Sequence, residues 1–269
     1  MTKRNLCLLI GLIVAALLAA APAAMAQLSE PGAGEPIGSE ETTAAKPWSV
    51  TLDFTYNSKY VWRGIEVTSD PVMQPSITAA YQGLSFNVWT NIDTTDVNSY
   101  EWQSNEIIYT LDYSFTWKYV NFSVGAIHYA FPQAHVGDTT EVYFGIGSAL
   151  MGRPTVTFYQ DVDEHRGTYI VLSMGHTFEN VWQPCANLSM GVDVSGSIAW
   201  GSKKHNTYYY GTRDAWTDAV LSLGLPFAIG EHVTITPAIH GSMVLDKSVR
   251  DALADKGSFW GGITVAFSF

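Results

Sequence analysis

Residues 84–93 read LSFNVWTNID, a stretch in which apolar and polar side chains alternate. Successive side chains of a β-strand point to opposite faces of the sheet. One face of this stretch therefore carries Leu84, Phe86, Val88, Thr90 and Ile92. The opposite face carries Ser85, Asn87, Trp89, Asn91 and Asp93. The alternation predicts an amphipathic strand with one dry face and one hydrated face.

The same alternation recurs between Trp48 and Phe269, most clearly at residues 188–198 and 257–269. It predicts twelve strands, at residues 48–59, 72–81, 84–92, 105–116, 119–130, 139–150, 154–163, 168–178, 186–199, 214–226, 232–245 and 257–269. Short turns and long loops mostly alternate between them. The gap 164–166 is short where a long loop is due, and the gap 179–185 is longer than the other turns.

An even number of long amphipathic strands, with short turns on one side and long loops on the other, is typical of an outer-membrane β-barrel. A soluble barrel or sandwich would carry more charge on its outward faces. Membrane-spanning helices are excluded, because no apolar run of spanning length follows the first thirty residues. We therefore expect an all-β fold, a transmembrane antiparallel up-and-down β-barrel of about 12 strands.

The amino terminus has the pattern of a secretory signal peptide. Lys3 and Arg4 precede an apolar stretch that ends in Ala24-Met25-Ala26, a small-x-small cleavage pattern. Residues 27–47 are rich in Pro, Gly, Glu, Ser and Thr, which favours a flexible periplasmic spacer. The sequence therefore predicts a signal peptide at 1–26, a spacer at 27–47 and a barrel at 48–269, located in the bacterial outer membrane.

If the apolar faces contact lipid, the other strand faces line the interior. We expect these pore-lining residues to be Asp53, Asn87, Asn91, Glu106, Asp112, Glu141, Asp161, Asp163, Asp193 and Asp218. Their excess of carboxylates favours passage of cations. Alternatively, they are ordinary hydrated wall positions, and some carboxylates bond across the lumen to Lys59, Arg63 or Arg213.

Aromatic residues cluster near the ends of the predicted strands, as in the girdles of membrane barrels. The turn-side set is Trp48, Trp117, Tyr119, Trp182, Phe267 and Phe269. The loop-side set is Tyr56, Tyr60, Trp62, Trp200 and Tyr208 to Tyr210. The terminal Phe269 resembles the signal that the barrel-assembly machinery reads during insertion. Outer-membrane lipid and that machinery are therefore the expected partners.

The stretch Asn57-Ser-Lys-Tyr60-Val-Trp62-Arg63-Gly64-Ile65 resembles the opening motif of the TorF-type porins, a proteobacterial outer-membrane family. Weaker similarity extends over residues 48–180, and the chain departs from the family motif at Glu66-Val-Thr68. The resemblance implies a porin-like barrel and no catalytic residue. Physically, Trp62 suits a lipid interface, Arg63 can pair with an acidic loop or lumen residue, and Gly64 permits a turn with positive φ. A girdle aromatic followed by an ordinary turn is the alternative.

Other classes of function leave weaker signals. His240 and Ser242 have the His-x-Ser spacing of outer-membrane lipid hydrolases, but both fall on the hydrated face and no third partner is evident. A net charge of -11 without a long Lys/Arg cluster argues against nucleic acid as a partner. The sequence suggests no catalytic residue, cofactor or metal site. We expect a passive diffusion channel for small hydrophilic solutes, with a non-conducting anchor for periplasmic partners as the alternative.

Overall fold

The computed structural model describes residues 47–133, 136–254 and 256–269. The predicted signal peptide and nearly all of the predicted spacer lie outside these residues. The strands are β1 Trp48–Asn57, β2 Tyr60–Trp62, β3 Ile65–Thr68, β4 Val72–Tyr81, β5 Leu84–Asp93, β6 Ser104–Trp117, β7 Val120–Ala130, β8 Thr139–Ser148, β9 Thr155–Asp161, β10 Thr168–Cys185, β11 Leu188–Gly201, β12 Ala215–Gly224, β13 Phe227–Ile229, β14 Val233–Val244 and β15 Gly257–Ser268. The helices are α1 Lys203–Tyr210 and α2 Lys247–Ala252.

Twelve long strands, all except β2, β3 and β13, form one antiparallel sheet in the described part of the chain. Each strand pairs with its neighbours in sequence, and β1 also pairs with β15, from Thr51 opposite Ser268 to Asn57 opposite Gly262. The sheet is therefore closed, which provides main-chain hydrogen-bond partners around the whole circumference. The predicted up-and-down barrel of about 12 strands is confirmed.

The predicted strand ranges agree with the structure to within two residues at each end, except at the end of β10. β10 was expected to end at residue 178, but it continues to Cys185. It remains paired with β11 through two register shifts, and Asn180, with φ 52°, lies within the first of them. Bulges of this kind let a strand continue where the simple alternation is interrupted. β9 ends at Asp161 and not at residue 163.

Short turns join the strands at one end of the barrel, which we call the turn side, and longer segments join them at the other, the loop side. One of the two-residue turns, Gln82-Gly83, has φ 49° and 87°. Both residues of a type I′ hairpin turn need positive φ. A Cβ on Gly83 would lie 2.4 Å from the Ser114 carbonyl oxygen, so the turn also needs glycine for space. The hairpin β2–β3 and both helices belong to the loop side.

The exterior of the barrel is apolar. Outward positions in the middle of the strands carry large hydrophobic side chains that are 40–65% exposed, including Phe54, Ile77, Phe86, Leu111, Val124, Phe144, Phe158, Leu172 and Leu221. Apolar exposure on this scale marks a surface that contacts another apolar phase. Among the described residues, neither helix is long and apolar enough to cross a membrane.

The interior differs between the two ends. Toward the turn side, inward positions carry small side chains such as Ser76, Thr78, Ser123, Gly145, Thr155, Ser195 and Thr264. From the middle to the loop side, a buried cluster fills the interior and includes Tyr60, Trp89, Ile108, Ile127, Tyr129, Tyr143, Tyr159 and Tyr169. The turn-side half is therefore roomy and polar, whereas the loop-side half is packed.

The apolar exterior predicts the effect of a charge placed on it. Leu111→Arg places a cation at an outward position in the middle of β6, where Leu111 is 49% exposed. Contact with hydrocarbon should lower the free energy of unfolding by about 2–4 kcal/mol. Asn87→Arg, on the inward face of β5, is the matched control and should cost clearly less, because its charge does not contact hydrocarbon. Equilibrium unfolding by urea in lipid vesicles measures both, and equal losses would contradict lipid contact at Leu111.

Candidate functional site

The hairpin β2–β3, residues 60–68, turns into the barrel from the loop side; we call it the inner hairpin. Arg63 and Gly64 form its turn, with φ 46° and 77°. A Cβ on Gly64 would lie 2.8 Å from the Cβ of Asp218 on β12. Glycine therefore permits both the left-handed backbone and the close approach to the wall. The positive φ expected at Gly64 is present.

Arg63 makes a buried bidentate ion pair with Glu141 of β8. Its Nη1 and Nη2 atoms donate to Oε1 and Oε2 of Glu141 at 2.8 and 2.7 Å. The two side chains are 0% and 2% exposed. The Tyr129 hydroxyl also donates to Glu141, at 3.0 Å. A charge removed from water requires such a partner, because an unpaired buried ion is strongly destabilising.

Aromatic rings surround the Arg63 guanidinium. Its central carbon lies 4.6 Å from the ring centroid of Trp62, 5.1 Å from that of Tyr159 and 4.2 Å from that of Tyr169. The negative faces of such rings attract a cation, and the attraction is stronger away from water. Ion pair and rings together fix the position of the hairpin tip.

The inner hairpin crosses the full width of the barrel. It enters between β1 and β4, whereas the rings beside Arg63 belong to β9 and β10. In the strand order of the sheet, β9 is six places from β1 and β10 is six places from β4. In a twelve-stranded barrel these positions are diametrically opposite. The hairpin therefore divides the turn-side interior from the loop-side opening.

Further bonds hold the base of the inner hairpin. Lys59 Nζ lies 2.6 Å from Glu66 Oε2, and the Ser258 hydroxyl on β15 donates to the same oxygen at 2.9 Å. The Thr68 hydroxyl donates to Asp93 of β5 at 3.1 Å. The segment is thus attached to the wall at both its base and its tip.

Helix α1 forms a second layer on the loop side. His205 and Asn206 are fully buried. The Tyr210 hydroxyl donates to the main-chain oxygen of Arg63 at 2.7 Å, and the rings of Tyr209 and Trp62 are 5.0 Å apart. α1 therefore covers the inner hairpin. The sequence predicted a loop between the strands at 186–199 and 214–226, so α1 was not expected.

The predicted loop-side girdle is wrong at several positions. Tyr60 and Tyr210 are 7% and 4% exposed, and Trp62 packs on Tyr129 inside the barrel. They turn inward because the inner hairpin and α1 fold into the opening, which places their rings around Arg63 and not beside lipid. On the turn side, Trp48, Trp117, Tyr119 and Phe269 are exposed, as a girdle requires.

The ten predicted interior residues fall into three groups. Those that are buried are Asn91, Glu106, Asp112, Glu141, Asp161 and Asp218. Those that are half-buried on the inward face are Asp53, Asn87 and Asp193. Asp163 was placed incorrectly, because it lies beyond the end of β9 in an exposed loop.

The buried group is bonded to protein. Tyr143 and Tyr169 hydroxyls donate to Asp112 and Asp218, at 2.5 and 2.9 Å. Tyr60 donates to Glu106. The Gln74 side chain donates to Asn91 at 2.9 Å. These side chains therefore orient the aromatic cluster. The alternative, in which an interior carboxylate bonds to Lys59, Arg63 or Arg213, holds for Glu141, which pairs with Arg63.

Asp161 organises the loop that follows β9. Its Oδ1 accepts from the main-chain nitrogens of Asp163, His165 and Arg166, at 3.0, 3.2 and 2.9 Å. Its Oδ2 accepts from the Thr139 hydroxyl at 2.5 Å. The carboxylate thus ends the strand by satisfying loop nitrogens, which explains why Asp163 leaves the wall.

The pair His240 and Ser242, considered for a hydrolase, is not assembled. His240 Nδ1 lies 2.7 Å from the hydroxyl of Ser222 on β12, and its ring stacks on Trp260 at 5.2 Å. Ser242 Oγ instead accepts from the Ser258 main-chain nitrogen at 3.3 Å. Both side chains belong to inward strand positions. Within the described residues, no group of three or more His, Cys, Asp or Glu could hold a metal ion.

The fold and the inner hairpin define a closed β-barrel with an apolar exterior and a partly filled interior. Residues 41–221 match the family model described as "Bacterial protein of unknown function (Gcw_chp)", and the chain belongs to this family. No curated protein sequence matches the chain.

Among the solved structures similar to this chain are a porin, an outer membrane channel and an outer membrane secretin. The NanC porin has a TM-score of 0.46 and 10% identity, over 82% of this chain and 98% of that one. An outer membrane channel from Pseudomonas putida F1 has a TM-score of 0.44 and 8% identity, over 82% and 94%. A bacterial polysaccharide outer membrane secretin has a TM-score of 0.44 and 7% identity, over 82% and 97%.

Removal of one partner of the ion pair should release the inner hairpin. Glu141→Gln leaves the Arg63 charge buried without a carboxylate, which should cost about 3–5 kcal/mol of docking free energy. The double variant Arg63→Met with Glu141→Gln removes both charges, keeps an acceptor for Tyr129, and should restore most of the loss. Hydrogen exchange of the main-chain amides at 60–68 measures docking. Unchanged protection in Glu141→Gln would show that the ion pair does not hold the hairpin.

Proposed function

We propose that this protein is an outer-membrane channel for the passive diffusion of small hydrophilic solutes, narrowed by its inner hairpin. The observation that carries the proposal is a closed sheet whose outward face is apolar and whose inward face carries small polar side chains in its turn-side half. An apolar belt suits hydrocarbon, and a closed sheet leaves no unpaired strand edge in it. The small polar side chains of the turn-side interior suit water and dissolved solutes.

The outer membrane is the proposed location, because proteins that span it with β-strands are closed antiparallel barrels of this topology. The expected signal peptide at 1–26 supports export, and Phe269 at the end of β15 supports insertion by the barrel-assembly machinery. The motif at Tyr60, Trp62, Arg63 and Gly64 supports assignment to the TorF-type porins. In this proposal the motif forms the constriction of the channel.

The dimensions favour a narrow passage. Twelve strands about 4.8 Å apart, tilted by about 40°, close at a backbone radius of roughly 12 Å. Side chains reduce the lumen to about 10 Å, on the scale of a small solute. The inner hairpin crosses this space, so a solute must pass beside it or wait for it to move.

A second candidate is a non-conducting anchor for periplasmic partners. The packed loop-side half favours it, because the Arg63 side chain is 0% exposed and α1 lies over the inner hairpin. A barrel closed in this way would still hold a partner at the membrane. Conductance distinguishes the two candidates.

Replacement of residues 60–68 by a Gly-Ser linker should raise single-channel conductance in a planar bilayer several-fold, because the obstruction across the lumen is removed. The native chain should show a small but measurable conductance. The double variant Arg63→Met with Glu141→Gln is the matched control: it keeps the hairpin docked and should conduct like the native chain. Absence of conductance in both the native chain and the linker variant would favour the anchor.

Selectivity should depend on the half-buried interior carboxylates. Asp53 accepts from the Ser76 hydroxyl at 3.1 Å, and Asp193 is half-buried on the inward face of β11. Both lie in the roomy turn-side half, where a fixed negative charge attracts cations. Asp53→Asn with Asp193→Asn should move the reversal potential in a salt gradient toward zero. Glu231→Gln, at an exposed turn, is the control, and anion selectivity of the native chain would contradict the proposed preference.

A further inference from the structure

Two histidines meet at the loop-side opening. His205 belongs to α1, and His165 lies in the loop between β9 and β10. Their rings are 5.4 Å apart in an edge-on arrangement, and His205 is 0% exposed. The His205 ring also stacks on Tyr169 at 4.9 Å. The imidazole of α1 is therefore enclosed by rings.

The surroundings of His205 suit only its neutral form. Within the described residues, neither of its ring nitrogens has a hydrogen-bond partner. Its charged neighbours are Arg63 and His165, which are cations or become cations in acid. Burial, and then the charge of Arg63, holds the pKa of His205 well below the usual value of 6.5. Tyr209 and Tyr210 of the same helix add rings and no carboxylate.

The charges around His165 are of both signs, because carboxylates face it as well as Arg63. Its Nε2 lies 3.3 Å from Asp161 Oδ2, and Glu141 and Glu164 also act on it. Burial still lowers the pKa of His165, with Asp161 as the strongest opposing influence. Protonation of His165 is thus the easier step, and it adds a positive charge beside His205.

The charged groups of α2 and its cap, and Asp218 on β12, already have partners. In α2, which packs on α1, Lys247 pairs with Asp251, and Arg250 donates to the main-chain oxygens of Val244 and Leu245. Asp246 caps α2 and lies 3.6 Å from Arg213. On β12, Asp218 accepts from Tyr169. No carboxylate in the described residues hydrogen-bonds to His205, so none is placed to stabilise its charge.

Linkage gives the direction of the effect. In the closed state, with α1 over the inner hairpin, the pKa of His205 lies below that of an exposed imidazole, about 6.5. Above this pH the histidine is neutral in both the closed and the released state, so the closed state keeps its full stability. As pH falls below this value, the released state binds more protons and becomes favoured. The ratio of released to closed states can rise by up to about tenfold per pH unit for each such group.

We propose that α1 is an acid-released lid, which leaves the opening of the barrel when His205 and His165 take up protons. Release removes the hydrogen bond of Tyr210 to the main chain of Arg63 and uncovers the inner hairpin. Regulation of solute passage by this lid rests on the proposed channel function, whereas the movement of α1 does not.

The test compares hydrogen exchange of residues 202–212 in lipid nanodiscs at about pH 7.5 and about pH 5, corrected for the intrinsic pH dependence of exchange. Native protection should fall about tenfold or more in acid. His165→Phe with His205→Phe keeps the rings but cannot be protonated, so its protection should stay constant. His205→Leu, with His165→Phe, serves as a second unprotonatable variant. His232→Phe on the turn side is the control and should respond like the native chain.

Conductance recorded at the same two pH values separates the proposals. A native chain whose α1 is released but which never conducts would contradict the channel and leave the lid supported. A conducting chain whose α1 protection is equal at both pH values would overturn the lid and leave the channel. An acid response that persists in the unprotonatable variants would also overturn the lid.

Discussion

The buried Arg63 guanidinium is the constraint on which the interior arrangement depends. An ion inside a barrel loses its water, and the loss is tolerable only beside an opposite charge with good hydrogen-bond geometry. Glu141 supplies that charge from β8, across the lumen from the strands that carry the hairpin. Because the bidentate geometry places both Arg63 nitrogens on the Glu141 carboxylate, the ion pair helps to set where the hairpin lies as well as to hold it.

Other interior features follow from that position. Tyr159 and Tyr169 must present their faces to the cation, and Asp218 fixes the Tyr169 hydroxyl. The main-chain oxygen of Arg63 then accepts from Tyr210, so α1 is placed by the same residue. The packed loop-side half of the barrel is thus organised around this ion pair, whereas the turn-side half is roomy because its inward side chains are small. Function, in either proposed form, depends on whether this packed half stays in place.

Much of the barrel wall could be predicted from sequence, because the alternation of apolar and polar side chains that defines it is a local pattern. Each strand needs only an apolar face for the outside, and a period of two reveals it, as at 84–93. The inner hairpin obeys no such rule. Arg63 and Glu141 are 78 residues apart, and an aromatic such as Trp62 suits a lipid interface or a buried cation equally well. Asp161 and Asp163 share strand parity, but the main-chain nitrogens that donate to the Asp161 carboxylate are positioned by loop geometry that the pattern does not encode. The Arg63-Gly64 pair among aromatics, in a chain with many interior carboxylates, was the available signal.

The most direct test is the contact between the Arg63 guanidinium nitrogens and the Glu141 carboxyl carbon, measured by solid-state NMR on selectively labelled protein in lipid bilayers. The account predicts a close nitrogen-to-carbon contact, as the hydrogen bonds of 2.7 and 2.8 Å require. A guanidinium with no carboxylate contact, or one exchanging with water outside the barrel, would contradict the central role assigned to this pair.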